Sequence, residues 1–210
     1  PRLLALAAFF LTGPLVAAEL APIVALELGI SEGNPRNTEG DFITLKDGRL
    51  LYIYTRFTGG GDDHDRADLV SRVSNDGGAT WSAVDEPVVG NEGGLNVMSV
   101  SLLRLDDGKI ALFYLQKNSL TDCRPVVRFS SDEAVTWSEP TAIIPDAEIG
   151  YYVLNNDRVV ALGEGRLLAP VAKHHAPGQE KADWNGEVGC YFSDDNGLTW
   201  QSPKVLQQAF

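Results

Sequence analysis

Three carboxylates crowd one glycine-rich loop of the sequence. The loop runs from Thr58 to Arg66, reads TGGGDDHDR, and carries acids at Asp62, Asp63 and Asp65. Carboxylates this close repel one another, which can raise the pKa of one of them to a value useful for donating a proton. The alternatives are a solvated acidic loop or a calcium loop, although the spacing is not that of an EF-hand.

Polar stretches also precede apolar segments at matching places in the chain. Arg36 and Asn96 each lie eleven residues before the acid of an Asp-Gly turn, and residues 155–158 lie near the corresponding place before a third turn. Loops alone would not need so many polar residues just ahead of apolar strands. We therefore expect the stretches 36–39, 96–99 and 155–158 to converge on a single pocket.

A turn motif that occurs three times indicates the elements that would position these residues. It has the shared form S-x-D-x-G-x-T-W, and the middle copy carries Ala134 where the others have Gly. Ser and Asp side chains bond to nearby backbone in tight turns, and Gly supplies a positive φ. The motif itself is therefore interpreted as structural. Its copies read SNDGGATW at 74–81, SSDEAVTW at 130–137 and SDDNGLTW at 193–200.

A second repeated signal lies upstream of each copy, where an acid and Gly are followed by a cation between apolar runs. It reads LKDGRL at 45–50, LDDGKI at 105–110 and LGEGRL at 162–167. Such turns indicate hairpins, and the flanking runs give four short strands per unit of about sixty residues. No segment after residue 18 has sustained helical periodicity. The predicted fold is all-β, a β-propeller of four-stranded antiparallel blades.

The first eighteen residues have the pattern of a secretory signal peptide. Arg2 is followed by an apolar run over residues 3–11, and Val16-Ala17-Ala18 forms a small-residue end. The run is too short for a membrane span, and the alternative is a buried first helix. The rest of the chain, residues 19–210, is expected to be one domain that is secreted or periplasmic.

Composition restricts the partners that this domain could have. The formal net charge is −12, with 29 acidic and 17 basic residues, and two cysteines cannot make a disulfide scaffold. An acidic chain argues against nucleic acid bound through a broad basic surface and against a polybasic membrane anchor.

The repeated turns in four-stranded units resemble the Asp-box of the sialidase (neuraminidase) superfamily, over residues 34–210. That family forms six-bladed β-propellers that remove terminal sialic acids from glycans. The resemblance implies that the chain holds about three of the six blades and is an N-terminal part. The family's nucleophilic Tyr and its third Arg would then lie beyond Phe210, because they belong to late blades.

The resemblance also implies roles for individual residues. Arg36 matches the first of three Args that bind the substrate carboxylate, although the Ile-Pro that follows it in the family is absent here. Asp63 or Asp62 matches the general acid and base. Arg56 occupies a place near the substrate carboxylate, and Glu39 and Asn96 are expected to bind substrate as well.

These residues predict a secreted, retaining, exo-sialidase-like glycoside hydrolase acting on a sialylated glycan or another acidic carbohydrate. No metal or cofactor is implied. Two alternatives share the fold: a non-catalytic glycan-binding propeller, and a glycan-active enzyme with another substrate. A structural surface protein would share the turns but have no polar residues converging on a pocket.

Overall fold

The computed structural model describes residues 23–208, which form short antiparallel strands and one 3-10 helix, Asp146–Glu148. The predicted signal peptide, residues 1–18, lies outside the described residues. No helix within the described range has the length and hydropathy needed to cross a membrane. The strands are β1 (Arg36–Thr44), β2 (Leu50–Phe57), β3 (Ala67–Ser74), β4 (Glu86–Val89), β5 (Asn96–Arg104), β6 (Ile110–Lys117), β7 (Cys123–Ser130), β8 (Thr141–Ala142), β9 (Tyr151–Val153), β10 (Val160–Gly163), β11 (Arg166–His175), β12 (Glu187–Ser193) and β13 (Gln207–Gln208).

The first two units are four-stranded meanders with the same register. In the first, β1, β2, β3 and β4 pair in order, with Arg36 opposite Phe57. In the second, β5, β6, β7 and β8 pair in order, with Asn96 opposite Lys117. Arg36 and Asn96 therefore begin equivalent inner strands, as the sequence spacing predicted. The all-β prediction and the four-stranded antiparallel units are confirmed.

The third unit differs in its inner strand, which is split into β9 and β10. Both pieces pair with β11, followed by β12 and β13, and one parallel contact between Cys123 and Tyr151 joins this unit to the second. Tyr151 lies opposite His175, so Tyr151 takes the place of Arg36 and Asn96. Residues 155–158 instead lie in the gap between the two pieces. There Asp157, with φ 52°, repeats the left-handed bulge of β1 and β5, and its amide donates to the carbonyl of Val100 at 3.1 Å. The prediction that 155–158 lie at a similar place to 36–39 therefore holds at the bulge, whereas the strand start itself is occupied by Tyr151 because the third unit has a longer interruption.

The hydrophobic core lies between the units rather than within any one of them. Strand β6 shows why, since its alternate side chains point to opposite faces of its sheet. Leu112 and Tyr114 pack with Ile53 of the first unit, whereas Phe113 packs with Leu167 and other residues of the third. Face-to-face burial on both sides of β6 fixes the relative positions of the inner strands, and these strands carry the predicted site residues.

The Asp-box turns close each unit through one recurring hydrogen-bond pattern. In the first copy the Asp76 carboxylate accepts from the backbone N of Thr80 at 2.8 Å and from its hydroxyl at 2.6 Å. Bonds from Thr80 lower the pKa of Asp76 to about 2. In the second copy Ala134 adopts φ 67°, a conformation that the other copies give to Gly78 and Gly197. The turn geometry is thus kept even where a side chain makes it unfavourable.

Candidate functional site

The candidate site lies at one edge of the first two units, where inner strands begin and second strands end. The antiparallel register places Arg36 beside Phe57, and Phe57 leads directly into the glycine-rich loop. The same register in the second unit places Asn96 beside Lys117. Because equivalent inner strands start at the same edge, the loop and both strand starts meet there.

The loop between β2 and β3 is held in a compact form by its own backbone. The amides of Thr58 and Gly59 both donate to the carbonyl of Arg66, at 2.8 and 3.2 Å. The Asp65 carboxylate accepts from the amide of Asp62 at 2.8 Å. A Cβ at Gly60 would lie 2.2 Å from Asp65 Oδ2, so a larger residue here would displace the Asp65 carboxylate.

Arg36 and Asp63 form the central ion pair of the site. Arg36 Nη1 lies 2.6 Å from Asp63 Oδ1 and also donates to the carbonyl of Gly61 at 3.2 Å. The guanidinium lies over the Phe57 ring, 4.6 Å from its centroid. The Arg36 side chain is 31% exposed and that of Asp63 is 61% exposed. Both groups are therefore within reach of a molecule in solution.

The ion pair affects the pKa of Asp63. The hydrogen bond from Arg36 lowers the pKa of Asp63 below its ordinary value. The expectation that repulsion between clustered carboxylates would raise the pKa of an acid here was therefore wrong for Asp63, because its nearest charge is a cation. Asp41, another acid near Arg36 along β1, accepts a hydrogen bond from the amide of Leu102 at 2.7 Å.

Two buried side chains support the loop from below. Asn96, which is fully buried, donates to the carbonyls of Asp63 and Asp65 at 2.9 and 2.8 Å. Lys117 is 2% exposed, and its Nζ donates to the carbonyl of Asp63 at 2.6 Å. Burial lowers the pKa of Lys117. Asn96 and Lys117 thus position the backbone that presents the Asp63 carboxylate.

Glu39 lies on the inner side of the Arg36–Asp63 pair. Its pKa is shifted in the direction opposite to that of Asp63. Burial raises the pKa of Glu39, while a hydrogen bond from Ser99 to its Oε2, at 3.0 Å, opposes that rise. Glu39 and Ser99 occupy equivalent bulges of β1 and β5, with φ of 50° and 64°. These two left-handed residues connect the inner strands at the level of the site.

Arg56 is not brought to this cluster. It alternates with Phe57 along β2, so its side chain lies on the opposite face of the sheet. There Arg56 Nη1 lies 3.3 Å from Asp85 Oδ2, and Nη2 lies 3.8 Å from Asp68 Oδ2.

Asp62 is exposed, and within residues 23–208 its carboxylate has no hydrogen-bond partner. The geometry favours Asp63 over Asp62 as the acid next to Arg36.

Two residues of the site were not assigned to it from the sequence. They are Lys117, which is buried beneath the loop, and Tyr151, which is buried beside it. The Tyr151 ring lies 5.6 Å from Lys117 Nζ. The available signal for Lys117 was its position at the end of the apolar strand IALFYLQK. A lysine buried there needs specific partners for its charge. Nothing in the sequence pattern indicated Tyr151.

The arrangement offers an accessible guanidinium, a neighbouring carboxylate and a half-buried acid at one edge. A guanidinium binds carboxylates with planar geometry, and a carboxyl group can transfer a proton to or from a bound molecule. Across residues 23–208, no three His, Cys, Asp or Glu side chains form a group that could hold a metal ion.

A comparison with protein families identifies the family of this chain. The family described as BNR repeat-like domain matches residues 91–209, more than half of the sequence. This chain belongs to the BNR repeat-like family. The match begins at the second unit of the fold and covers two of the three Asp-box turns described above.

Solved structures share the fold of this BNR repeat-like chain. A protein of unknown function from Dyadobacter fermentans has a TM-score of 0.64 and 21% identity, over 82% of this chain and 55% of that one. The Hadza microbial sialidase Hz136 has a TM-score of 0.63 and 20% identity, over 83% and 39%. Trypanosoma rangeli sialidase in complex with sialic acid has a TM-score of 0.58 and 16% identity, over 79% and 30%.

These similarities identify the fold as a sialidase-type β-propeller, with open sheets in the part that this chain contains. The chain spans about half or less of the length of these proteins. A search of curated protein sequences found no match.

Proposed function

We propose that this BNR repeat-like chain is part of a secreted or periplasmic sialidase-like glycoside hydrolase that removes terminal sialic acid from glycans. The observation that carries the proposal is the meeting of Arg36, Asp63 and Glu39 at one accessible edge. A terminal sialic acid presents a permanent carboxylate next to the bond to be cleaved. That chemistry calls for a guanidinium and a proton donor side by side.

The ion pair suggests how binding and acid catalysis are connected. A substrate carboxylate on Arg36 would replace the Asp63 carboxylate as its partner. Asp63 would then lose the interaction that lowers its pKa and face a second negative charge, and both changes favour its protonated form. Protonated Asp63 would give its proton to the leaving glycosidic oxygen as the bond to the anomeric carbon breaks.

The remaining steps need a nucleophile that the resemblance places in a later blade. A Tyr hydroxyl would pass its proton to a paired carboxylate as its oxygen bonds to the anomeric carbon. Water would then displace that oxygen, with Asp63 accepting a proton from the water and the Tyr oxygen taking its own proton back. Two displacements at one carbon retain its configuration. Glu39, half-buried near Arg36, would receive polar groups of the sugar, and Asn96 would hold the loop in place.

A second candidate function is glycan binding without hydrolysis. It is favoured by the same ion pair, because an Asp63 that remains bound to Arg36 is an anion and no proton donor. In that case Arg36 and Glu39 would recognise an acidic sugar, and the loop would serve only as part of the binding surface.

Hydrolysis of a fluorogenic sialoside by the complete gene product separates these candidates. We expect Asp63→Asn to lower kcat by about 10²–10⁴ fold, as removal of a general acid does. The matched variant Asp62→Asn should leave the rate nearly unchanged. No turnover by the wild type, with binding of sialic acid that depends on Arg36, would favour the binding protein. No turnover and no binding would contradict both candidates.

A further inference from the structure

Lys117 is a buried cation at the end of β6, beneath the acidic loop. It is 2% exposed, and its Nζ donates to the carbonyl of Asp63 at 2.6 Å and to Sδ of Met98 at 3.5 Å. The centroid of the Tyr151 ring lies 5.6 Å from the same atom. Within residues 23–208 Lys117 forms no salt bridge. Burial of an ammonium without a carboxylate partner is costly, so a lysine at this position calls for an explanation.

The fold does not require a lysine at the end of β6. The second strands of the three units end at equivalent places, opposite the starts of the inner strands, in Phe57, Lys117 and His175. An apolar ring ends the first of these strands, and an imidazole ends the third. Packing at this place therefore does not explain why the second strand ends in a cation.

Support of the loop does not require a charge either. Asn96, which lies opposite Lys117, donates to the same Asp63 carbonyl at 2.9 Å from a neutral amide. A second uncharged donor could make the remaining hydrogen bond without the cost of burying an ion. The positive charge of Lys117 is thus the property that neither packing nor loop support explains.

The charges that face Lys117 belong to the candidate site. The ionisable groups that act on it electrostatically are those of Arg36, Asp63, Glu39 and Cys123. Burial raises the pKa of the Cys123 thiol to about 12, so this group is neutral at ordinary pH. Lys117 and Arg36 are therefore the cations that act on two carboxyl groups here, and a ligand carboxylate would add a third.

The electrostatic effect of Lys117 favours negative charge at this edge. A buried charge acts over a longer distance than an exposed one, because less water lies between it and its neighbours. The hydrogen bond from Arg36 is the main cause of the lowered pKa of Asp63, and the charge of Lys117 acts in the same direction. Burial raises the pKa of Glu39, and the charge of Lys117 opposes that rise.

We propose that Lys117 is a second positive charge of the site, which attracts an anion held at Arg36 through space rather than by contact. In the structure that anion is the Asp63 carboxylate, and in the complex with substrate it would be the carboxylate of the acidic sugar. Lys117 would then determine the preference of the site for an acidic over a neutral ligand. The part of this inference that concerns the ligand rests on the proposed function.

NMR titration of the Asp63 side-chain carboxyl carbon in the complete gene product tests the proposal without a ligand. Lys117→Met and Lys117→Gln both remove the charge, and Lys117→Gln keeps a hydrogen-bond donor. We expect both variants to raise the proton affinity of Asp63 by about threefold to tenfold, as loss of a nearby charge does. Lys109→Gln removes the same net charge directly before the start of β6 and should have no effect. Asn96→Ala, which removes a neutral support of the same carbonyl, should have a clearly smaller effect.

Calorimetry with sialic acid and its methyl ester extends the test to a ligand. The two Lys117 variants should weaken binding of the acid by about threefold to tenfold and change binding of the ester by less than about twofold. Asn96→Ala should affect both probes alike, because it loosens the loop without changing the charge.

The outcomes separate the charge of Lys117 from the proposed function. An Asp63 proton affinity that stays unchanged in both Lys117 variants, or that rises equally in Asn96→Ala, overturns the inference. Equal losses for acid and ester in the Lys117 variants overturn it as well, since Lys117 would then only support the loop. If the wild type binds neither probe, the proposed function fails, and a raised Asp63 proton affinity in both Lys117 variants would still support the through-space role.

Discussion

Nη1 of Arg36 lies 2.6 Å from Oδ1 of Asp63, within the first unit and beside the start of β5 in the second. The residue proposed to bind an anion and the residue proposed to donate a proton are thus each other's partner. Under the proposed function, an anionic ligand at Arg36 would compete with Asp63 and would change the charge preference of Asp63. This single contact would then couple recognition to protonation.

Removal of the guanidinium should raise the pKa of Asp63. The bond from Arg36 is the main cause of its lowered pKa, so Arg36→Gln should shift that pKa back toward or above the ordinary value of 3.8. NMR titration of the Asp63 side-chain carboxyl carbon measures the change. Arg49→Gln is the matched control, because Arg49 pairs with Asp47 at a distant turn. An Asp63 pKa unaffected by Arg36→Gln would show that the pair does not form in solution.

Loss of the buried supports should loosen the acidic loop. Asn96→Ala removes two hydrogen bonds to loop carbonyls, and Lys117→Met removes one while keeping the buried aliphatic stem. Asn96→Ala leaves the Asp65 carbonyl without this partner, at a cost of about 1 kcal/mol or more, and in either variant the Asp63 carbonyl keeps only one of its two side-chain donors. Amide hydrogen exchange over residues 61–66 should therefore become about fivefold to tenfold faster. Lys109→Met, on the surface, should leave this exchange unchanged, and equal protection in all four proteins would contradict the positioning role.

The repeats in the sequence predicted the fold because each signal is local. Asp-Gly turns and S-x-D-x-G-x-T-W turns fix hairpins within a few residues, and three copies in phase define units of similar size. The same spacing correctly placed Arg36 and Asn96 at equivalent strand starts. It placed residues 155–158 at the bulge but missed Tyr151 as the strand start of the third unit, because an interruption of the inner strand leaves the turn motifs intact and cannot be seen in their spacing.

The site was only partly predictable because its decisive contacts are long-range. Strand alternation determines which face of β2 carries Arg56. The predicted place of Arg56 near the pocket was instead inferred from its position along the chain. Lys117 and Tyr151 come from different units and meet the loop only when the units pack. The partner of Arg36 could not be chosen among nearby acids, since the choice depends on how the loop folds back over β1.

Replacing the strained alanine of the middle Asp-box should stabilise the protein. Ala134 has φ 67°, which costs a residue with a Cβ about 1 kcal/mol or more relative to glycine. Ala134→Gly should therefore increase the free energy of unfolding by roughly 0.5–1 kcal/mol after the loss of one partly buried methyl group. Urea denaturation measures this. Ala142→Gly, in an extended strand, should instead be destabilising by a similar amount, and two changes of the same sign would contradict the explanation.

The contact of Glu133 with Arg104 should make stability depend on acid pH. Both carboxylate oxygens accept from Arg104 at 2.8 Å, and this interaction lowers the pKa of Glu133 to about 2 from 4.5. The folded-state pKa is below the unfolded one, so the stabilisation is complete above about pH 4.5 and is lost as the pH falls toward 2. Glu133→Gln should lower Tm at pH 7, and the gap from wild type should close near pH 2. The exposed Glu139→Gln is the control, and a gap that stays constant with pH would contradict this role.

The central claim, that Arg36 binds the carboxylate of an acidic sugar, is tested most directly by a chemical and mutational cycle. The affinity of the complete gene product is measured by calorimetry for sialic acid and for its methyl ester, in the wild type and in Arg36→Ala. We predict that esterification weakens binding to the wild type by about tenfold to a hundredfold, as expected for loss of charge-assisted hydrogen bonds, and weakens binding to Arg36→Ala by a clearly smaller factor, because one of the carboxylate's partners is already absent there. Equal affinity of the wild type for the acid and its ester, or an equal loss on esterification in both proteins, would contradict the claim.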